Sequence, residues 1–150
     1  MADFFQFEAD FVESLRCIPM GVRLKLDTCG VKLKLSHWHQ FSPGECQSLV
    51  DMPCTKPQEI AAYREFLQSL VVEKTGTPAK ALPIEENPPW LIAGTVPEDT
   101  HKQAQEFNVE ITVQQWEKLS PLQRFALIKL SRRGHENRNF YPALQEFKLV

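Results

Sequence analysis

Fifteen residues, Trp116 to Leu130 (Trp-Glu-Lys-Leu-Ser-Pro-Leu-Gln-Arg-Phe-Ala-Leu-Ile-Lys-Leu), restrict the fold of this chain more than its other segments do. Ser120, Pro121 and Gln123 make a helix start: a hydroxyl cap, a proline whose missing N–H costs nothing in the first turn, and an amide that reaches back to the cap. From Leu122 through Phe125, Ala126, Leu127, Ile128 and Leu130 the apolar residues run almost all round the helical wheel, interrupted by Gln123, Arg124 and Lys129. A helix of that kind is buried on most of its sides. It predicts a helical core and carries no reaction chemistry.

The chain also resembles itself. Laid over itself at an offset of 78 positions, the spacing of Trp38 and Trp116, residues 19–72 fall on residues 97–150 with eight identities. These are Pro19/Pro97, Val31/Val109, Trp38/Trp116, Ser42/Ser120, Pro43/Pro121, Leu49/Leu127, Tyr63/Tyr141 and Val72/Val150. Chance at ordinary composition gives about three. Gly30 falls on Asn108, and these are the two residue types best able to adopt the left-handed conformation that closes a helix. The alternation of Val22, Leu24 and Leu26 with Val31, Leu33 and Leu35 around Asp-Thr-Cys-Gly would otherwise read as a β-hairpin. Residues 97–108 are polar and read only as a helix, so the comparison favours a helix from Pro19 with Gly30 and Val31 closing it. A two-fold internal repeat is predicted.

Each repeat is expected to run as a proline-started helix, a short extended piece (Val31 to Leu35, Val109 to Val113), a short helix holding the tryptophan, a Ser-Pro helix and a closing helix. In the first repeat, Ser42, Pro43 and Glu45 start the Ser-Pro helix and Pro53 ends it. Thr55 and Gln58 are expected to cap the closing helix, with Ile60, Tyr63, Leu67, Leu70 and Val71 inward and an end near Gly76. The final helix is expected to start at Asn139 with Pro142 in its first turn. Phe7, Phe11, Leu15 and Ile18 mark an amphipathic first helix that Pro19 ends. The predicted fold is thus mainly α and forms a single domain. It comprises an N-terminal helix over 4–18, repeats over about 19–72 and 97–150, and a Pro-rich linker over 75–96. At most it adds short extended segments. Within the linker, Pro-Pro-Trp-Leu-Ile (Pro88 to Ile92) is too apolar for a free tether, so Trp90 is expected to dock on the helices; an exposed Trp90 would instead mark a partner contact.

A length of 150 residues with 43% hydrophobic and 24% charged positions suits one ordinary domain that needs no staple. The formal net charge of -2 gives no general attraction to nucleic acid or anionic lipid. From Gly76 to Glu117 two Lys face seven acids, and from Lys118 to Val150 seven Lys and Arg face two Glu, which the fold is expected to bring into mutual neutralisation. Asp3, Glu8 and Asp10 stand where a basic and then apolar leader would lie, and no run approaches a membrane span, so a cytoplasmic protein with no membrane contact is expected. Cys17, Cys29, Cys46 and Cys54 form no C-x-x-C pair. They read either as small buried hydrophobes or as a four-thiolate metal or iron–sulfur site assembled from distant positions.

The repeats differ most after the Ser-Pro helix, where the second carries Arg132-Arg133-Gly134-His135-Glu136-Asn137-Arg138. His135 and Glu136 could form an acid–base pair, but adjacent side chains on a loop rarely converge and no nucleophile or metal set accompanies them. Nucleic-acid binding through Arg132, Arg133 and Arg138 lacks a stacking platform and a basic overall balance. Protein recognition, in which Arg is over-represented, is the best functional reading; the plain alternative is a loop that caps helix ends. His37 and His39 flank Trp38 on opposite sides of a short helix and are poorly placed to share an ion. The candidate partner-binding residues are therefore Arg132, Arg133, His135, Glu136, Asn137, Arg138 and Trp90, with no catalytic residue, metal or cofactor.

Three stretches carry a family resemblance: Phe-Glu-Ala-Asp-Phe-Val-Glu-Ser-Leu-Arg-Cys-Ile-Pro-Met (Phe7 to Met20), Lys-Leu-Asp-Thr-Cys-Gly (Lys25 to Gly30) and Leu-Gln-Arg-Phe-Ala-Leu-Ile-Lys-Leu-Ser-Arg-Arg-Gly-His-Glu-Asn-Arg-Asn-Phe (Leu122 to Phe140). They resemble the cyanobacterial nitrate-reductase-associated protein family, and the likeness extends from Phe7 to Val150. The family is linked to assimilatory nitrate reductase and to molybdenum-cofactor genes, and it has no agreed catalytic residues to carry over. The resemblance implies a small, non-enzymatic cytoplasmic accessory protein whose partner is nitrate reductase and which serves its maturation, molybdenum-cofactor insertion or activity. The alternative is a redox or metal carrier built on Cys17, Cys29, Cys46 and Cys54.

Overall fold

The structure, a computed structural model, describes residues 5–12, 17–84, 86–131 and 139–150. It is mainly helical, as predicted, with one two-stranded ribbon among the described residues. Its contacts divide into two units, residues 8–84 and residues 85–150 together with 5–7. Helix α1 covers Gln6–Val12. The first helix stops short of the predicted Ile18, since Cys17 to Pro19 are not helical and residues 13–16 lie outside the described residues.

In the first unit α2 (Met20–Cys29) follows Pro19, and its N-terminus is capped from a distance: the buried Glu8 carboxylate accepts the Met20 N–H at 2.9 Å. A carboxylate there also meets the positive end of the helix dipole. Val22, Leu26 and Cys29 are buried at helical spacing, which excludes the hairpin. Gly30 closes α2 at φ 74°, and its N–H donates to Leu26 O at 2.9 Å. Strand β1 (Val31–Lys32) follows, then α3 (Leu35–Trp38), α4 (Pro43–Asp51) and α5 (Pro57–Thr75). The extended piece is shorter than predicted, because Leu35 already belongs to α3. The cap of α5 also differs from the Thr55/Gln58 expectation: the Glu59 carboxylate reaches back to accept the N–H groups of Lys56 and Thr55 at 2.9 and 3.2 Å.

Residues that read as linker are built into the two units. The Gln68 side chain clamps the Ala79 backbone, donating to its carbonyl at 3.0 Å and accepting its N–H at 2.8 Å. Strand β2 (Lys80–Ala81) then pairs antiparallel with β1, Val31 opposite Ala81 and Lys32 opposite Lys80. Trp38, Leu49, Tyr63, Leu67 and Val71 form the centre of this unit's core, and the Tyr63 hydroxyl donates to Leu49 O at 2.7 Å.

The second unit contains a 3-10 turn at Pro89–Leu91, α6 (Glu98–Glu106), α7 (Val113–Lys118), α8 (Pro121–Leu130) and α9 (Phe140–Glu146). Its helices follow the order α2, α3, α4, α5 of the first unit. Asn108, the residue aligned with Gly30, also takes a positive φ, 59°. The second extended piece is absent as a strand: Thr112 caps α7 by accepting the Gln115 N–H at 3.1 Å, so the helix begins at Val113. Ser120 caps α8 as predicted, accepting the Gln123 N–H at 3.1 Å while Gln123 Oε1 accepts the Ser120 N–H at 2.9 Å. Phe125, Ala126 and Leu127 are fully buried.

Candidate functional site

Six of the seven predicted site residues, Arg132, Arg133, His135, Glu136, Asn137 and Arg138, lie outside the described residues. The residues on either side of them are well fixed. Before them, Ser131 is buried at the end of α8, where its hydroxyl donates to Leu127 O and lies 3.0 Å from the buried Thr100 hydroxyl of α6. After them, Phe140 is fully buried and stacks on Phe107 at 6.2 Å between ring centroids.

Trp90, the seventh, docks on its own unit. It is 8% exposed and meets Phe125 edge-on at 5.0 Å. Its carbonyl accepts from Arg124 Nε at 2.7 Å, and the same buried guanidinium donates through Nη1 to Trp116 O at 3.2 Å and Leu119 O at 2.6 Å. Arg124 thus satisfies three carbonyls, and burial lowers the pKa of its guanidinium. The Trp90 indole is docked on the helices rather than standing exposed. The apolar surface at this turn is offered instead by Leu91 and Ile92, 58% and 43% exposed.

The four cysteines do not assemble the four-thiolate site of the alternative reading. Among the described residues, which include all four, no three His, Cys, Asp or Glu side chains are grouped to hold an ion. Cys46 Sγ instead donates to Trp38 O and Cys54 Sγ to Lys25 O, both at 3.8 Å. Burial pushes the Cys46 and Cys54 thiols up to about 11 and also raises Cys29, so the nucleophilic thiolate is disfavoured. His37 accepts the Lys34 N–H through Nδ1 at 3.2 Å, and burial together with the Lys34 charge holds its pKa below the usual value. It acts within the local turn.

Sequence reasoning missed the concave feature of the first unit. A cleft of about 480 Å³ runs along α5, lined by Pro57, Ile60, Ala61, Arg64, Glu65 and Gln68, with Cys29 and Ile84 opposite. Its wall exists because Gly30 lets the chain pass closely: Leu82 N–H donates to Gly30 O at 2.8 Å, and a Cβ on Gly30 would stand 2.7 Å from Ile84 Cγ1. Ile84 is 57% exposed. An exposed isoleucine in a Pro-rich stretch was the available signal, but nothing local tied it to Cys29, 55 positions earlier.

Among the described residues no helix is long and apolar enough to cross a membrane. No match is found among curated proteins or among solved structures. A family model described as conserved nitrate reductase-associated protein matches residues 4–147. With nearly its whole length matched, the chain belongs to the conserved nitrate reductase-associated protein family.

Proposed function

We propose that this protein is a non-enzymatic, cytoplasmic accessory of assimilatory nitrate reductase, supporting the maturation, molybdenum-cofactor insertion or activity of that enzyme by protein contact. The observation that carries the reading is the match over residues 4–147 to a family named for its association with the reductase. The chemistry of the described residues supports an accessory rather than a catalyst. Burial favours the protonated thiols of Cys29, Cys46 and Cys54, Tyr63 is buried with its pKa raised, and His37 is engaged by the backbone. None of these groups is prepared for proton or nucleophile transfer.

The contact is assigned to residues 132–138, where Arg132, Arg133 and Arg138 supply the planar donors that protein interfaces favour. Ser131 and Phe140, described residues on either side of this segment in the chain, are both buried. Leu91 and Ile92, both exposed, are apolar area free for contact in the second unit. The tagged protein is expected to co-purify with nitrate reductase from nitrate-grown cells, and Arg132→Ala with Arg133→Ala is expected to abolish the association. Capture of the wild-type chain without the reductase would refute the proposal.

A further inference from the structure

The ribbon that leads away from the wall of the cleft along α5 carries a cluster of lysines. Lys32 and Lys80 are directly opposed across β1 and β2, both exposed, and Lys34 follows two residues along. Like charges directly opposed across a ribbon destabilise it. Arg64 stands on the cleft itself. Among the described residues none of these four cations makes an ion pair, whereas Lys74 pairs with Glu45 at 3.3 Å and Lys25 caps the Val50 and Met52 carbonyls at 2.7 and 2.6 Å. Buried Cys29 and half-buried Ile60 line the cleft together with the exposed Ala61 and Ile84, and Glu65 stands beside Arg64 in its lining.

We propose that this surface docks an acidic, extended segment of a partner polypeptide, with an aliphatic side chain seated between Ile60 and Ile84 and its carboxylates meeting Arg64, Lys32 and Lys80. Charge complementarity selects the occupant. Opposed lysines on a ribbon edge repel a second copy of the same ribbon and attract a carboxylate-rich strand. The ribbon retains a like-charge pair that costs stability, and an anionic partner converts that cost into attraction. This inference rests on the accessory reading, and it adds a surface in the first unit to the one assigned at residues 132–138.

The test is a titration of purified nitrate reductase with the full chain, followed at two salt concentrations alongside thermal unfolding. Lys80→Glu places opposite charges across the ribbon, so its Tm is expected to rise while affinity falls about tenfold and becomes less salt-dependent. Ala61→Trp fills the cleft from an exposed position and is expected to weaken binding about tenfold with the salt dependence unchanged. A Lys80→Glu protein that is more stable and binds less well cannot be explained by misfolding. Wild-type binding that both variants retain within about twofold overturns the docking site and leaves the accessory reading standing. No wild-type binding at all overturns both.

Discussion

Arg124 shows how much of a unit can depend on a polar residue buried among apolar ones. Its guanidinium donates to the carbonyls of Trp90, Trp116 and Leu119, and so fastens the turn at Pro89–Leu91 and the end of α7 to α8. Arg124→Met keeps the volume and strands three buried acceptors, so a loss of about 3 kcal/mol or more is expected by urea unfolding. A loss below about 1 kcal/mol would show that water replaces the guanidinium. In the sequence Arg124 appeared only as an interruption of an apolar wheel, because its partners lie 5 to 34 positions away. Cys46 stands at the aligned place in α4 and donates to Trp38 O, a weaker version of the same bond. Gly30 was legible, since its left-handed φ followed from its place after an apolar helix. Gly30→Ala meets both the positive φ and the Ile84 side chain, and about 1–2 kcal/mol of destabilisation is expected from the backbone term. For the thiols, iodoacetamide at pH 8 is expected to leave Cys46 and Cys54 unmodified in the folded protein and to modify them in urea. Modification in the native state at the rate of a free thiol would contradict their burial.

Helix starts proved the most readable elements, because a cap is a local device that needs no distant partner. Ser42 and Ser120 each begin a helix with Pro at the first position and return a bond from the third, as the sequence predicted. Ser120→Ala is expected to cost about 1 kcal/mol. The start of α5 was misplaced by one residue, since the carboxylate of Glu59 does the capping that was assigned to Thr55. That arrangement has a pH signature. Backbone N–H groups donating to Glu45 and Glu59 hold both carboxyls below their ordinary value of 4.5. A depressed folded pKa means stability present above the unfolded value and lost as pH falls through the folded one. The Tm advantage of the wild type over Glu45→Gln with Glu59→Gln is therefore expected near pH 7 and to shrink below about pH 4.5. An advantage unchanged at pH 3 would exclude charge-assisted capping. The extended pieces were read too long in both halves: the first is a strand only over Val31–Lys32, and the second forms none. Leu35 and Val113 look like strand residues by type, and the turn bonds that recruit them into α3 and α7 come from the residues before them.

At the scale of the whole chain, the mainly helical fold was legible from periodicity, while the path of residues 75–96 was not. Those residues contribute β2 to the first unit and Trp90 to the core of the second, through bonds such as Gln68 to Ala79 that no local pattern announces. The cleft escaped notice for the same reason. It needs α5, Cys29 and Ile84 together, and only the α5 face had a readable period. The family was legible through resemblance rather than through a catalytic motif, and the match over residues 4–147 bears it out. The most direct measurement is sedimentation velocity of the purified chain mixed with purified nitrate reductase at micromolar concentration. Cosedimentation with the reductase, lost for Arg132→Ala with Arg133→Ala, is the result predicted here. Two independent boundaries, with the chain running alone at each ratio tested, would contradict it.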